Sequence, residues 1–312
     1  MNSPYATIVD NPDFHPAMTA EKIDRALRAG DKDAIVKLIT SISNNQRQLL
    51  REPYRIKYGK DIITALDKKF SGDLEKTIFA LMDTPLDYDV KQLKQAMKGL
   101  GTDEAVLIEI LCSRTPEQMK AIRIAYEKEY KKPLEQVVRA PAQSPFFGVL
   151  LVAFPSSLEV SLAEVCLRSS TTGSGRPCGS RNESYIRPFR VSELILIHFK
   201  VFAEFAQVSG ASIEKAIEKE FSGDLQKSYL TIVRAASDKQ KFFAMQLYNS
   251  MKGLGTRDND LIRVLVTRSE VDLDLIKQDF QTLYNKSLEE MIKGDTSGQY
   301  RDALLAIVMG NR

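Results

Sequence analysis

Six consecutive residues, Met-Lys-Gly-Leu-Gly-Thr, occur twice in this chain, at 97–102 and again at 251–256. A match of that length, 154 residues apart, makes the chain an internal array rather than one unrepeated domain. Gapless overlays extend the repeat. At an offset of 72, Tyr54 falls on Tyr126 and Tyr58 on Tyr130. At an offset of 154, Phe280 falls on Tyr126, Tyr284 on Tyr130 and Arg268 on Arg114. Leu261, Ile262 and Leu265 fall on Leu107, Ile108 and Leu111, and Ile35, Val36 and Ile39 join them. Apolar residues at i, i+1 and i+4 mark one face of a helix. Phe-Ser-Gly-Asp-Leu at 70–74 and 221–225 supplies a further register, with Thr296-Ser297-Gly298-Gln299-Tyr300 as its last-unit counterpart.

These overlays give four units, at 20–86, 87–160, 161–237 and 238–312, after a tail at 1–19 carrying Pro4, Pro12 and Pro16. Each clear unit reads as several short helices. In the last, the pattern predicts helices over 241–251, 258–267, 271–283, 287–293 and 299–309, with Ser269 and Ser287 as N-caps and Gly310 as a stop. Strand alternation and hairpin dipeptides are nearly absent, so the expected class is all-α. The pattern fails from 141 to 200. Pro141, Pro145, Pro155 and Pro188 fall where helices belong, and 169–181 is rich in Ser, Thr and Gly. The spacing is nevertheless kept, since an offset of 79 puts Phe205 on Tyr126. A divergent loop and a segment read out of frame both fit this.

Composition excludes several classes. The chain has 312 residues, 43% of them hydrophobic, with 44 Lys and Arg against 41 Asp and Glu. A net charge of +3 does not suit a strongly electrostatic nucleic-acid binder, and none is expected as a partner. Cys112, Cys166 and Cys178 stand at no metal spacing and read as reduced thiols of a cytoplasmic chain. We see no signal peptide and no apolar run of about 20 residues, so any membrane contact is peripheral. His15 and His198 are the only histidines and build no nucleophilic or zinc constellation, so no enzyme is expected.

The glycine loop carries the chemistry. Its glycines permit backbone angles that turn successive carbonyls toward one point. A hard cation such as Ca²⁺ takes six to eight oxygens, commonly mixing carbonyls with a carboxylate. Asp295 lies 44 residues after Met251, at the start of the last helix, within reach of a helical unit that folds back. The order Gly-Lys-Ser/Thr of a nucleotide loop is missing, as is a contiguous acidic EF-hand loop. A plain tight turn between helices is the competing reading. Two near-identical copies, each with Lys and Leu at the tip, weigh against it.

With Met-Lys-Gly-Leu-Gly-Thr-Asp-Glu at 97–104 and Asp-Thr-Ser-Gly at 295–298, the chain resembles the annexins over about 20–140 and 200–312. The resemblance implies four repeats of about five helices forming a curved disc, with Ca²⁺-dependent binding to anionic phospholipids. It also implies calcium ligands: the carbonyls of Met251, Gly253 and Gly255 with the carboxylate of Asp295 in the fourth repeat. The second repeat keeps Met97, Gly99 and Gly101, but Pro141 stands at the carboxylate position, so Thr102 and Glu104 are left for a weaker secondary ion. In the third, Glu220 stands at the carboxylate position, but 176–180 matches the loop poorly. In the first, Leu27 and Ala29 fall on the glycines and Lys69 on the carboxylate, so no site is expected. Lys98 and Lys252 would attract headgroups, and Leu100 and Leu254 would dip into the interface. A protein partner through the N-terminal tail is a further expectation. The alternative function is a calcium-independent protein-interaction scaffold of the same fold.

Overall fold

The computed structural model describes residues 3–98, 102–139 and 205–312, and no strand occurs among them. The irregular segment anticipated at 141–200 lies outside the described residues. The first repeat runs through α1 (Pro16–Ala29), α2 (Lys32–Thr40), α3 (Asn44–Leu49), α4 (Arg51–Tyr58), α5 (Ile62–Asp67) and α6 (Gly72–Met82). Next come α7 (Pro85–Ala96), α8 (Glu104–Ser113), α9 (Pro116–Tyr130) and α10 (Leu134–Arg139). The third repeat contributes α11 (Ile213–Glu220) and α12 (Gly223–Ser237). The fourth comprises α13 (Lys239–Met251), α14 (Asp258–Ser269), α15 (Leu273–Tyr284), α16 (Leu288–Asp295) and α17 (Gly298–Met309).

The overlays hold in space. Tyr54, Tyr126 and Phe280, superposed in sequence, are all fully buried. Each packs on the aromatic ring one turn later, at centroid distances of 4.8 Å for Tyr54–Tyr58, 4.8 Å for Tyr126–Tyr130 and 5.1 Å for Phe280–Tyr284. Burying such a side chain contributes about 1.5–3 kcal/mol. The helices that carry them end alike, in the left-handed region, at Gly59 (φ 69°), Lys131 (φ 56°) and Asn285 (φ 53°). Third-helix starts repeat too: Ser43 with Gln46 and Thr115 with Gln118 form reciprocal capping boxes. In the first repeat this helix is broken between α3 and α4. Pro53 has no N–H to offer the carbonyl four residues back, which removes one helical hydrogen bond there.

Other details depart from expectation. Ser287 caps α16 with a capping box to Glu290, and Gly310 ends α17, as anticipated. Ser269, expected to open a helix, instead closes α14, and its carbonyl accepts the N–H groups of Thr7 (2.8 Å) and Ile8 (3.1 Å). Asp272 precedes α15 without capping it, because Arg268 engages both its carboxylate oxygens at 2.7 and 2.5 Å. The equivalent Arg114 takes Asp89 instead, with both contacts at 2.7 Å. In the fourth repeat Phe243 occupies the place of Asp89, and the Arg268 guanidinium lies 4.6 Å from its ring centre. The ladder is conserved in position but rewired in charge.

The described residues fall into two compact units. One joins the first and last repeats, up to Tyr88 and again Gln240–Arg312; the other is Asp89–Lys239. In the first unit α6 and α2 pack on α14 and α17. Arg47, fully buried, bridges these repeats through Glu270 at 3.0 Å and also donates to the carbonyls of Ile39, Ile42 and Leu81. The tail belongs to this unit. Ala6, Thr7 and Ile8 are buried, and Thr7 Oγ1 lies within 2.8 Å of the Ile307 carbonyl. Helix α1 begins at Pro16, four residues ahead of the boundary read from sequence. In the second unit α12 packs on α8, and Lys239 Nζ donates to the Ser113 carbonyl at 3.1 Å.

Candidate metal centre

The fourth-repeat loop joins α13 to α14. The Arg257 N–H donates to the Ser250 carbonyl at 2.8 Å, which closes a seven-residue reversal. Within it Gly253 and Gly255 adopt φ of 111° and 83°, values that side chains other than glycine rarely take. No atom lies within 4 Å of where a Cβ would be built on either, so backbone conformation and not space requires glycine. Leu254 between them is fully exposed. The Lys252 ammonium sits 5.7 Å from the Tyr248 ring centre, and Tyr248 stacks flat on Tyr284 at 3.8 Å.

The carboxylate arrives from the other end of the repeat. Asp295, read from sequence as lying at the start of the final helix, is the last residue of α16. The Thr256 hydroxyl, at the end of the glycine loop, lies 2.5 Å from Asp295 Oδ2 and 3.2 Å from its carbonyl oxygen. Met251, Gly253, Gly255 and Asp295 are thus brought into one neighbourhood by a direct contact. The donors on offer are oxygens, and among the described residues no group of three or more His, Cys, Asp or Glu side chains that could hold a metal gathers here or elsewhere. Loop carbonyls with one hard carboxylate fit Ca²⁺ and do not fit a thiolate or imidazole metal.

Further acids stand close by that sequence reasoning missed. The Tyr300 hydroxyl is shielded from solvent. Its proton is held firmly, first by burial, then by the adjacent Asp258 carboxylate and the charges of Asp73 and Asp295. Burial, and secondarily Asp73, also pushes the Asp258 carboxyl above its ordinary value. The N-terminal ends of α6, α14 and α17 therefore meet at one end of this unit, together with the tip of α16. Asp73 belongs to the Phe-Ser-Gly-Asp-Leu motif, but nothing in the sequence pairs it with a residue 185 positions on.

At the three described junctions the backbone before the last helix of a repeat takes the same form. Ser71, Ser222 and Ser297 are all extended, with φ of −152°, −142° and −144°. Each is followed by a left-handed glycine, Gly72 (66°), Gly223 (61°) and Gly298 (61°). Two residues ahead of these serines stand Lys69, Glu220 and Asp295. Glu220 closes α11 just as Asp295 closes α16, and the next residues, Phe221 and Thr296, share extended backbones. Its partner loop at 176–180 lies outside the described residues.

In the second repeat Asp103 N–H donates to the Ala96 carbonyl at 2.8 Å, the same seven-residue reversal. Lys98 is exposed and Met97 half-buried there, while Gly99, Leu100, Gly101 and Pro141 lie outside the described residues. Thr102 Oγ1, the counterpart of the Thr256 hydroxyl, is buried with no hydrogen-bond partner among the described residues. Glu104 opens α8. The first repeat differs in backbone as well as side chain. Its reversal bond runs from Asp31 N–H to the Ala26 carbonyl at 3.0 Å and spans only five residues. Leu27 and Ala29, which the gapless overlay set on the glycines, are the final turn of α1. The loop is two residues shorter, so the carbonyl cradle itself is missing.

The annexin family model matches residues 18–81, 88–152 and 242–307. Human annexin A11 is 39% identical over 313 residues, covering 98% of this chain, which spans 62% of that protein's length. Dog annexin A13 is 37% identical over 317 residues and is covered in full. Among solved structures, an annexin A8 with an intact N-terminus has a TM-score of 0.84 at 34% identity, covering 100% of both chains. Chicken annexin V has a TM-score of 0.82 at 33% identity, covering 98% of this chain and 99% of its own. A calcium-bound annexin (Sm)1 has a TM-score of 0.77 at 27% identity, covering 98% of this chain and 94% of its own. The repeat register, the all-α fold and these matches together establish that the chain belongs to the annexin family.

Proposed function

We propose that this protein binds anionic phospholipid surfaces peripherally and in a calcium-dependent way, with the fourth repeat as its principal site. The observation that carries the reading is the Thr256–Asp295 contact, which holds a carboxylate against an exposed glycine loop. Membership of the annexin family, whose trait is calcium-dependent phospholipid binding, supports it. Met251, Gly253 and Gly255 would present carbonyls and Asp295 its carboxylate. When bound, Ca²⁺ supplies a Lewis-acidic bridge to lipid phosphate. The chain's own part is to fix the ligands, to offer Lys252 to the headgroups and to place Leu254 at the interface. Among the described residues no helix is long and apolar enough to cross a membrane.

The second repeat is a weaker site, with Met97, Gly99, Gly101, Thr102 and Glu104 but no carboxylate partner. Glu220 marks a third candidate on the strength of its junction. Such sites acting together raise affinity by avidity. We read the protein as a binding module and not an enzyme. A partner acting through the tail has less to hold, since Ala6, Thr7 and Ile8 are already packed, while Tyr5 stays exposed.

Sedimentation with phosphatidylserine vesicles across a calcium titration tests the proposal. Wild type pellets with calcium and stays soluble in chelator at physiological salt, and Asp295→Ala shifts the curve to higher calcium. A wild type that never pellets sinks the membrane reading. The shortened first-repeat loop favours the second reading, a calcium-independent scaffold, which that outcome would leave standing.

A further inference from the structure

The loops of the second and fourth repeats share one sequence, but their lysines are held differently. In three repeats a side chain from the region ahead of α2, α8 or α14 covers the ring one turn after the buried aromatic, Tyr58, Tyr130 or Tyr284. In the first the cover is the Arg28 guanidinium, 5.8 Å from the Tyr58 ring centre. In the second it is the Lys94 ammonium, 5.1 Å from that of Tyr130. In the fourth, the residue 154 positions after Lys94 is Tyr248. It lies flat on Tyr284, with 4° between the ring planes and 3.8 Å between centres. A ring has taken the place of a cation.

That exchange gives the loop lysine a seat. Lys252 follows the end of α13 at Met251, four residues after Tyr248, and its ammonium lies 5.7 Å from the Tyr248 ring centre. This is within the range of a cation–π contact. Rings 3.8 Å apart leave no room for an ammonium between them, so Lys252 meets Tyr248 from outside the stack. Behind the stack, Tyr284 packs on the fully buried Phe280 at 5.1 Å, which ties the platform to the core. Lys252 itself is exposed, and among the described residues no ion pair joins it. An ammonium resting on a ring still has N–H groups to donate to an anionic oxygen. Lys98, its counterpart in the second loop, is also exposed, but the ring at that place is already covered by Lys94. Among the described residues no aromatic ring lies within cation–π reach of Lys98.

We propose that Tyr248, backed by Tyr284, is a positioning residue that presents the Lys252 ammonium to anionic headgroups beside the glycine loop. Ordering a long, flexible side chain at an interface opposes binding. The ring restrains Lys252 before the membrane arrives, so less freedom is lost on contact. The second loop carries the same lysine without the platform, so equal loop sequences do not give equal headgroup contacts. This role rests on the membrane reading above. Its readout is separate, because it concerns how strongly the protein binds once calcium is saturating, and whether Tyr248 acts through Lys252.

The test is a double-mutant cycle on the full chain, read as partitioning onto mixed phosphatidylserine–phosphatidylcholine vesicles at saturating calcium and physiological salt. Lys252→Ala lowers the partition coefficient about fivefold. Tyr248→Leu, which keeps apolar bulk and removes the ring, lowers it about threefold. Tyr248→Phe keeps the ring and partitions as wild type does. In the Lys252→Ala background, Tyr248→Leu lowers binding no further, because the lysine it places is gone. The proposal is overturned if Tyr248→Leu binds as wild type does, or if Tyr248→Phe loses as much as Tyr248→Leu. It is equally overturned if the loss from Tyr248→Leu is the same with and without Lys252, the result of a ring that only supports the fold. A wild type that never binds in calcium sinks the membrane reading and this role with it, whereas a wild type that binds with additive losses sinks this role alone.

Discussion

Thr256→Val isolates the contact on which the proposed calcium site depends. Valine keeps the β-branched shape and deletes only the hydroxyl, which lies 2.5 Å from Asp295 Oδ2. Two consequences can be separated. Losing a hydrogen bond to a charged group costs about 1.5–3 kcal/mol in a dry setting. Here both residues are half-exposed, so water replaces the hydroxyl and the stability loss falls to about 1 kcal/mol. For a unit this size that lowers the melting temperature by about 2–4 °C. The functional loss is larger relative to its stability cost. Without the hydroxyl the carboxylate can turn away from the loop, and removing the partner that orients a metal ligand typically costs 10–100-fold in metal affinity. The calcium needed for half-maximal pelleting with phosphatidylserine vesicles is expected to rise about tenfold. Thr102→Val is the internal control. That hydroxyl is buried without a partner among the described residues, and Pro141 stands where its carboxylate would be. Its removal should shift the calcium curve less than Thr256→Val does, because the second repeat is the weaker site, and slightly raise the melting temperature. A calcium midpoint unchanged in Thr256→Val would refute the positioning role.

Glu270→Ala strands the buried Arg47 guanidinium without its counter-ion. Three backbone carbonyls still accept from it, so the loss is expected at about 3 kcal/mol, read from urea midpoints. A change below about 0.5 kcal/mol would contradict it. Gly310→Ala adds a Cβ 1.8 Å from the Thr7 carbonyl oxygen, at a φ of 69°. It should unseat the tail, destabilise by more than about 1 kcal/mol and open residues 3–9 to proteolysis in an otherwise folded chain. Asp258 supplies a pH signature. Its carboxyl titrates above the ordinary 3.8 because of burial, so the native state holds this proton more firmly than the unfolded chain. That group's contribution to stability therefore declines as pH rises from the ordinary value through the raised one, and is fully present only below it. Melting curves between about pH 3 and about pH 7 should show that slope flattened in Asp258→Asn.

Much of this molecule is legible because repetition turns one chain into several readings of the same fold. A single buried tyrosine says little. Tyr54, Tyr126 and Phe280 at fixed offsets define a core position, and all three prove fully buried. The same logic located Asp295, since a carboxylate 44 residues from the loop fits a unit that folds back on itself. What repetition hides is insertion and deletion. A gapless overlay places Leu27 and Ala29 on glycines, whereas the hydrogen bond from Asp31 to Ala26 shows a loop two residues short. It also hides rewiring. Arg114 and Arg268 overlay perfectly, but Asp89 gives way to Phe243, so the second arginine takes Asp272, the residue before α15, which then makes no side-chain cap. The gathering of Asp73, Asp258 and Tyr300 was out of reach for another reason, because it joins the first repeat to the last across most of the chain.

The shared backbone at the three described junctions gives the strongest reason to treat the repeats as variants of one electrostatic device. Extended Ser and left-handed Gly recur with φ values within about ten degrees of one another. Geometry is therefore held constant while the side chain two residues earlier changes from Asp295 to Glu220 to Lys69. A carboxylate there demands a cation before it can meet a lipid phosphate, since two anions repel. A lysine there repels the cation. Inverting the charge at that fixed position removes a ligand the cation would use. Lys69→Asp alone should not create a calcium site, because the first repeat also lacks two loop residues. Restoring Met-Lys-Gly-Leu-Gly-Thr ahead of Asp31 together with Lys69→Asp should lower the calcium required for vesicle binding below that of wild type, and a midpoint no lower than wild type would show that the junction and loop do not suffice.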